Sequence, residues 1–280
     1  MPSRARERQL AKLAARRQAE RRAARRRRNL ILGGIASGAA VVLLAAGAAA
    51  LFGGEDTSAI GSPSASASGK PGAQIGTVDP QPAPTTVACG ASAPKSAGEP
   101  KPQFAGPPPM KIDPSKTYTA TFDTSCGTIV VELDAKAAPQ TVNSFVFLAD
   151  KGYFDGQYVI RLDTSIDVIQ AGDPTGSGGG GPGYSIPDEL QGAETYVPGT
   201  IAMAKGALPN SGGSQFFIIT GPNGQNLDSS PNYTIFGSIV KGLDVAQRIQ
   251  QLPIADPAAG LSGQQPTQAV YFNSVSVKAR

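Results

Sequence analysis

Apolar and polar residues follow three regimes along this 280-residue chain. The first is an unbroken run, Leu30 to Phe52, of 23 residues without a charged side chain. The second, from Gly53 to about residue 115, is built of Gly, Ser, Ala, Pro and Thr with scattered charges, as in Ser62-Pro63-Ser64-Ala65-Ser66 and Pro107-Pro108-Pro109. In the third, order begins near Tyr118. The alternation in Tyr118-Thr-Ala-Thr-Phe122 and Ile129-Val-Val-Glu-Leu133 predicts two strands joined hairpin-fashion at Ser125-Cys126-Gly127. Pro139 opens a helix with Val142, Phe145, Val146 and Ala149 on one face and Gly152 as its stop. Short apolar runs follow at Tyr158 to Leu162, Val168 to Ala171, Thr200 to Ala204, Gln215 to Thr220, Thr234 to Val240 and Val270 to Val277. A second helix is predicted at Leu243 to Leu252. Many short strands with turn-rich connections and two helices suggest a mainly β domain, a closed barrel capped by helices, because closure removes exposed strand edges.

Charge changes the reading of the first two regimes. Residues 1–28 hold twelve Lys/Arg and two Asp/Glu, and the rest of the chain holds 13 basic against 19 acidic side chains. The overall charge of +4 therefore belongs to a tail and does not mark a nucleic-acid-binding body. The run 30–52 is long enough to span a bilayer, and the arginines before it orient it with the N-terminus in the cytoplasm. Residues 1–28 are then a basic cytoplasmic tail and 29–52 a transmembrane helix. Residues 53–115 form a disordered Pro/Ala/Ser/Gly-rich linker whose composition buries too little apolar surface to offset chain entropy, and 116–280 the folded domain. A competing reading is a cleaved signal peptide, since Ala48-Ala49-Ala50 offers small residues for cleavage, with a mature form beginning near Leu51. In either case the body is exported, and the partner at residues 30–52 is the cytoplasmic membrane.

The chain has no His and two cysteines, Cys89 and Cys126. A Ser-His-Asp triad, a His-ligated metal and a Cys-His pair are excluded within one chain, and two thiolates do not complete a four-cysteine zinc site. In an oxidising compartment the two cysteines form a disulfide or remain as two free thiols. Gly176, Gly178 and Gly181 satisfy G-x-G-x-x-G, but Pro182 and Gly183 follow where a phosphate-binding helix should open, so the match is rejected.

A set of motifs in fixed order resembles the cyclophilin family over residues 116–280. They are Thr141-Val142-Asn143-Ser144-Phe145, Gln170-Ala171-Gly172-Asp173-Pro174-Thr175-Gly176, Gly180-Gly181-Pro182-Gly183-Tyr184, Pro187-Asp188-Glu189, Met203-Ala204, Gly213-Ser214-Gln215-Phe216-Phe217-Ile218 and Phe236-Gly237. The anchored form with a Pro/Ala linker is similar to cyclophilins exported by actinobacteria. The resemblance implies an eight-stranded closed antiparallel barrel capped by two α-helices. It implies a peptidyl-prolyl cis/trans isomerase that uses no metal or cofactor and acts on proline-containing polypeptides. Position by position, it implies Arg161 and Gln170 as catalytic residues and Phe217, Gln215, Leu227, Val168, Ala204, Gly178 and Tyr233 as the substrate groove. The alternative is a peptide-binding or scaffolding module of the same shape with little catalysis.

Several positions depart from the family pattern. Leu162-Asp163-Thr164-Ser165-Ile166-Asp167-Val168 replaces the usual Pro-Gly-Phe-Met loop with one extra residue, removing a pocket phenylalanine. Lys205 stands for the common asparagine, Ala207-Leu208-Pro209 implies another insertion, Asn226 occupies a position where tryptophan occurs, and Tyr233 replaces histidine. These changes predict a shallower, more polar proline pocket.

Overall fold

The structure, a computed structural model, describes residues 70–256 and 263–280. The predicted basic tail and transmembrane segment lie outside these residues, and among the described residues no helix is long and apolar enough to cross a membrane. The strands are β1 (Gln74–Val78), β2 (Lys101–Phe104), β3 (Tyr118–Thr124), β4 (Gly127–Leu133), β5 (Arg161–Asp163), β6 (Val168–Ala171), β7 (Thr200–Met203), β8 (Phe216–Ile219), β9 (Ile235–Lys241) and β10 (Phe272–Ala279). The helices are α1 (Pro139–Asp150) and α2 (Leu243–Gln250).

The first hairpin of the main sheet shows how alternation sets register. Tyr118, Ala120 and Phe122 of β3 and Ile129, Val131 and Leu133 of β4 are buried on one face, and the ladder runs from Tyr118 opposite Leu133 to Thr124 opposite Gly127. The Thr124 hydroxyl donates to the Gly127 carbonyl at 2.6 Å and accepts from the Cys126 amide at 3.1 Å, closing the turn. A one-residue slip would turn every apolar side chain outward.

Helix α1 carries Pro at its start, where no amide partner is needed. Its first-turn donors, which have no partner within the helix, are met from far along the chain: the Glu189 carboxylate accepts from the amides of Gln140 and Thr141 and from the Thr141 hydroxyl, at 2.8 to 3.0 Å. A carboxylate at this end also complements the helix dipole. Phe145 of α1 stacks on Phe154 at 5.0 Å and meets Phe216 edge-on at 5.9 Å, forming with Phe122 and Phe272 an aromatic core inside the sheet.

The main sheet has eight antiparallel strands in the order β10-β3-β4-β9-β7-β8-β6-β5. It curls into a half-barrel. The predicted fully closed barrel is corrected at one seam: no ladder joins β5 to β10, which meet through the residues preceding them. Tyr158 bridges Tyr271, the Val159 amide donates to the Val270 carbonyl at 2.9 Å, and the Gly156 amide to the Phe272 carbonyl at 2.7 Å. β5 is three residues long, and its ladder is made to β6 alone.

The predicted disordered linker is also corrected, from residue 70 onward. β1 and β2 form a two-stranded antiparallel sheet. Phe104 is 1% exposed and packs edge-on against Phe147 of α1 at 4.9 Å, and Ala88 is fully buried. Ala88 and Thr86 exchange backbone hydrogen bonds with Ala269, and a disulfide joins Cys89 to Cys126 in the β3–β4 turn. Composition alone underestimated this segment because a few anchors, one aromatic, one disulfide and a strand pair, suffice when a neighbouring domain supplies the rest of the buried surface. Residues 53–69 of the predicted linker lie outside the described residues.

Candidate active site

Four cross-strand partners form one continuous row on the outer face of the sheet. Arg161 of β5 lies opposite Gln170 of β6, Gln170 opposite Phe217 of β8, and Phe217 opposite Ala202 of β7. Directly opposed residues share a face, so a cation, an amide and an aromatic ring lie side by side. Phe216, the neighbour of Phe217, points into the aromatic core, as strand alternation requires.

The guanidinium of Arg161 is held at all three nitrogens. Nε donates to Gln264 Oε1 at 2.6 Å, Nη1 to Gln170 Oε1 at 3.2 Å, and Nη2 to Asp163 Oδ2 in an ion pair. Of its five N–H donors, these bonds leave one on each terminal nitrogen unspent among the described residues. Asp163 is held in turn: its other oxygen accepts from the Ser165 amide at 2.9 Å and the Ser165 hydroxyl at 2.6 Å. Gln170 Nε2 donates to Gln215 Oε1 at 2.9 Å, and Gln215 Nε2 donates to the carbonyls of Gly178 and Gly180 at 3.1 and 2.8 Å.

Beside this polar line lies a second apolar cluster. Val168, Tyr196, Ala202, Phe217 and Ile219 are its buried members, and Ile166, Ala204, Leu227, Tyr233 and Ile235 pack against them. The Tyr233 ring stands perpendicular to that of Phe217, with centroids 5.1 Å apart, and Phe217 is only 5% exposed. Burial pushes the Tyr233 hydroxyl above its usual pKa, and the positive charge of Arg161 partly opposes that. Arg161, Gln170, Gln215 and Gly178 thus share one hydrogen-bonded line, while Phe217, Val168, Leu227, Ala204 and Tyr233 share the adjoining apolar patch. Cys89 and Cys126 lie elsewhere, between the N-terminal segment and the β3–β4 turn.

Sequence reasoning missed three contributors. Ile166 packs against the apolar cluster from the loop where the pocket phenylalanine is absent. Asp167 in the same loop takes a left-handed φ of 49° and receives the Asn223 amide on its carboxylate at 2.8 Å. Asp163 was legible in principle, since an acid two residues from Arg161 on a strand shares its face. Gln264, 103 positions away from Arg161, carried no local signal. Lys205 does not make the groove more cationic: its ammonium is buried against Asp188 at 2.6 Å.

A cavity of about 310 Å³ lies apart from this row, between Pro80, Pro82 and Ala97 of the N-terminal segment and Tyr158 and Tyr271 at the seam. Its distinctive group is Lys101, whose ammonium donates to the Asp155 carbonyl and whose pKa is lowered by burial.

The family model described as "Cyclophilin type peptidyl-prolyl cis-trans isomerase/CLD" matches residues 119–277. The probable peptidyl-prolyl cis-trans isomerase B of Mycobacterium leprae is 37% identical over 179 residues, covering 59% of this chain and 58% of that protein. The peptidyl-prolyl cis-trans isomerase-like 1 of Homo sapiens is 39% identical over 150 residues, covering 52% of this chain and 86% of that protein. A crystal structure of a cyclophilin-type peptidyl-prolyl cis-trans isomerase from Cryptosporidium parvum superposes with a TM-score of 0.51 at 26% identity, over 59% of this chain and 99% of that chain. A second structure of the Cryptosporidium protein, in the presence of the dipeptide Ala-Pro, gives a TM-score of 0.50. The match spans somewhat over half the length of the mycobacterial protein.

Proposed function

This chain belongs to the cyclophilin-type peptidyl-prolyl cis-trans isomerase family, and from that membership we propose that it accelerates cis/trans isomerisation of X-Pro bonds in polypeptides outside the cytoplasm. The observation that carries the reading is the row Arg161–Gln170–Phe217. It sets a fixed guanidinium with unspent donors beside an apolar patch.

The reaction needs little else. The X-Pro amide resists rotation by about 18 to 20 kcal/mol because twisting removes resonance between nitrogen and carbonyl. At the twisted geometry the prolyl nitrogen regains its lone pair, and a donor aimed at it stabilises that state more than the planar one. Arg161 is the group for this role, since its side chain is immobilised by Gln264, Gln170 and Asp163 and needs no reorganisation when substrate twists. Phe217, with Val168, Ile166, Leu227 and Tyr233 around it, receives the proline ring. Gln170 and Gln215 hold the flanking peptide groups, which confines rotation to one bond. No proton transfer or covalent intermediate is involved, consistent with a chain that has no histidine. The Ala-Pro dipeptide present with the Cryptosporidium protein supports proline-containing peptides as the substrate class.

The arginine-rich tail and the uncharged stretch 30–52 support a membrane-anchored arrangement with the N-terminus in the cytoplasm and the isomerase outside. A disulfide between Cys89 and Cys126 suits an oxidising compartment.

The test is a protease-coupled isomerisation assay with an Ala-Pro peptide on the full chain, run beside calorimetric binding of an uncleavable peptide of the same sequence. Acceleration by wild type supports the enzyme. Binding without acceleration replaces it with the peptide-binding module. Fractionation with membranes, and protease access to the body from outside the cell, test the anchoring; a soluble form beginning near Leu51 would establish cleavage instead.

A further inference from the structure

The hydrogen-bonded line that starts at Arg161 does not stop at the groove. From Gln215 it reaches the carbonyls of Gly178 and Gly180, which belong to the loop Gly176-Ser-Gly-Gly-Gly-Gly-Pro-Gly183. Six glycines in eight positions give this loop little rigidity of its own, because each has more backbone freedom to lose than any other residue. Asp173 organises its inner side, accepting from the amides of Thr175 and Gly180 at 2.7 and 3.2 Å.

The loop's other side is held by the segment that precedes the family-matched region. The Gln81 amide donates to the Thr175 carbonyl at 2.8 Å and the Phe104 amide to the Pro182 carbonyl at 2.8 Å. Gln103 Nε2 donates to the Gly181 carbonyl at 2.7 Å. The approach is close enough to demand glycine: a Cβ on Gly183, whose φ is +90°, would stand 2.7 Å from the Phe104 carbonyl oxygen. The segment that makes these bonds is itself fixed by buried Phe104, by the exchange with Ala269 and by the Cys89–Cys126 disulfide.

We propose that residues 81–104 are a positioning element of the active site, with Gln103 as its key side chain. They clamp the glycine loop from outside so that its carbonyls present a fixed partner to Gln215. Gln215 then fixes Gln170, and the pair meets the substrate with its hydrogen-bonding groups already oriented. The contribution is chiefly to affinity for the peptide flanking proline, because the clamp acts through Gln215 and Gln170, while Arg161 keeps its bonds to Gln264 and Asp163. This inference rests on the groove described under the isomerase reading.

The experiment compares wild type, Gln103→Ala, Gln215→Ala and the double variant, each in the full chain, by steady-state isomerisation of an Ala-Pro peptide and by calorimetric binding of its uncleavable counterpart. Gln103 is only partly buried, so its truncation is compatible with folding; Gln103→Glu, which turns the donor into a carboxylate facing the Gly181 carbonyl, is the second variant. Gln103→Ala is expected to raise KM and Kd about three- to tenfold with kcat within about twofold, Gln103→Glu at least as much, and Gln103→Ala to add little in the Gln215→Ala background. A mere loss of folded protein would lower kcat without moving KM, and would do so equally in both backgrounds. That result, or unchanged KM and Kd in both Gln103 variants, overturns the proposal. If wild type binds without accelerating, the isomerase reading falls while the Kd comparison still judges the clamp. If wild type neither binds nor accelerates, both fall.

Discussion

Arg161 and Asp163 share one face of β5 and form an ion pair in which the acid is itself pinned by Ser165. The carboxylate therefore orients the guanidinium by a bond that does not depend on a flexible partner. Asp163→Ala is expected to lower kcat about three- to tenfold through loosening of Arg161, and to change nothing further in an Arg161→Ala background. Isomerisation rates of the two single variants and the double variant check this; equal losses in both backgrounds would assign Asp163 a purely structural role.

Arg161→Ala should reduce isomerisation by tens-fold or more with the fold intact, since an interaction of roughly 2 to 4 kcal/mol made in the twisted state is removed. Arg161→Lys should recover little. An ammonium cannot bond Gln264, Gln170 and Asp163 from three nitrogens in one plane and still address the substrate. Circular dichroism with the kinetic assay separates loss of chemistry from loss of fold. An Arg161→Ala variant as active as wild type would remove Arg161 from the mechanism.

Reducing the Cys89–Cys126 disulfide opens a loop of sequence separation 37. On the chain-entropy account such a crosslink is worth about 3 to 4 kcal/mol. The melting temperature should fall under reductant, and peptide mapping without reductant should recover Cys89 and Cys126 as one linked pair. Proteolysis of reduced protein should begin between residues 70 and 115, because the N-terminal segment loses an anchor there.

The rate should be level between about pH 6 and 9, since the isomerisation transfers no proton and the chain has no histidine. Stability behaves differently in alkali. Burial pushes the Tyr184 hydroxyl from 10.0 up to about 12, an effect that its hydrogen bond with Ser144 partly offsets, and burial raises Tyr153 as well. A raised tyrosine pKa means the folded chain keeps a proton that the unfolded chain releases. The stabilisation is whole below pH 10 and is lost as pH rises through the folded value near 12. Denaturant midpoints measured from neutral pH upward should be flat and then decline in that window, with the tyrosinate absorbance of the native state lagging behind that of the unfolded chain.

What the sequence determined by itself is what period and local chemistry encode. Strict alternation in Tyr118–Leu133 marked the first hairpin, Pro139 and Gly152 marked the ends of α1, and Arg161 with Gln170 and Phe217 was found through motifs in fixed order. Arg161 and Gln170 lie nine positions apart, yet their adjacency is a matter of register, which a strand–turn–strand pattern already implies. Tertiary structure alone decided three things. It brought Gln264 to Nε of Arg161, a contact across most of the domain with no periodic trace. It left the β5–β10 seam to a bridge at Tyr158 and Tyr271, an outcome that the apolar pattern of the two strands does not reveal. It also ordered residues 70–115 against the domain. Their composition forbids an independent core, but Phe104, Ala88 and Cys89 borrow one from α1, Ala269 and Cys126, and buried surface supplied by a partner element is invisible to any reading of the segment alone.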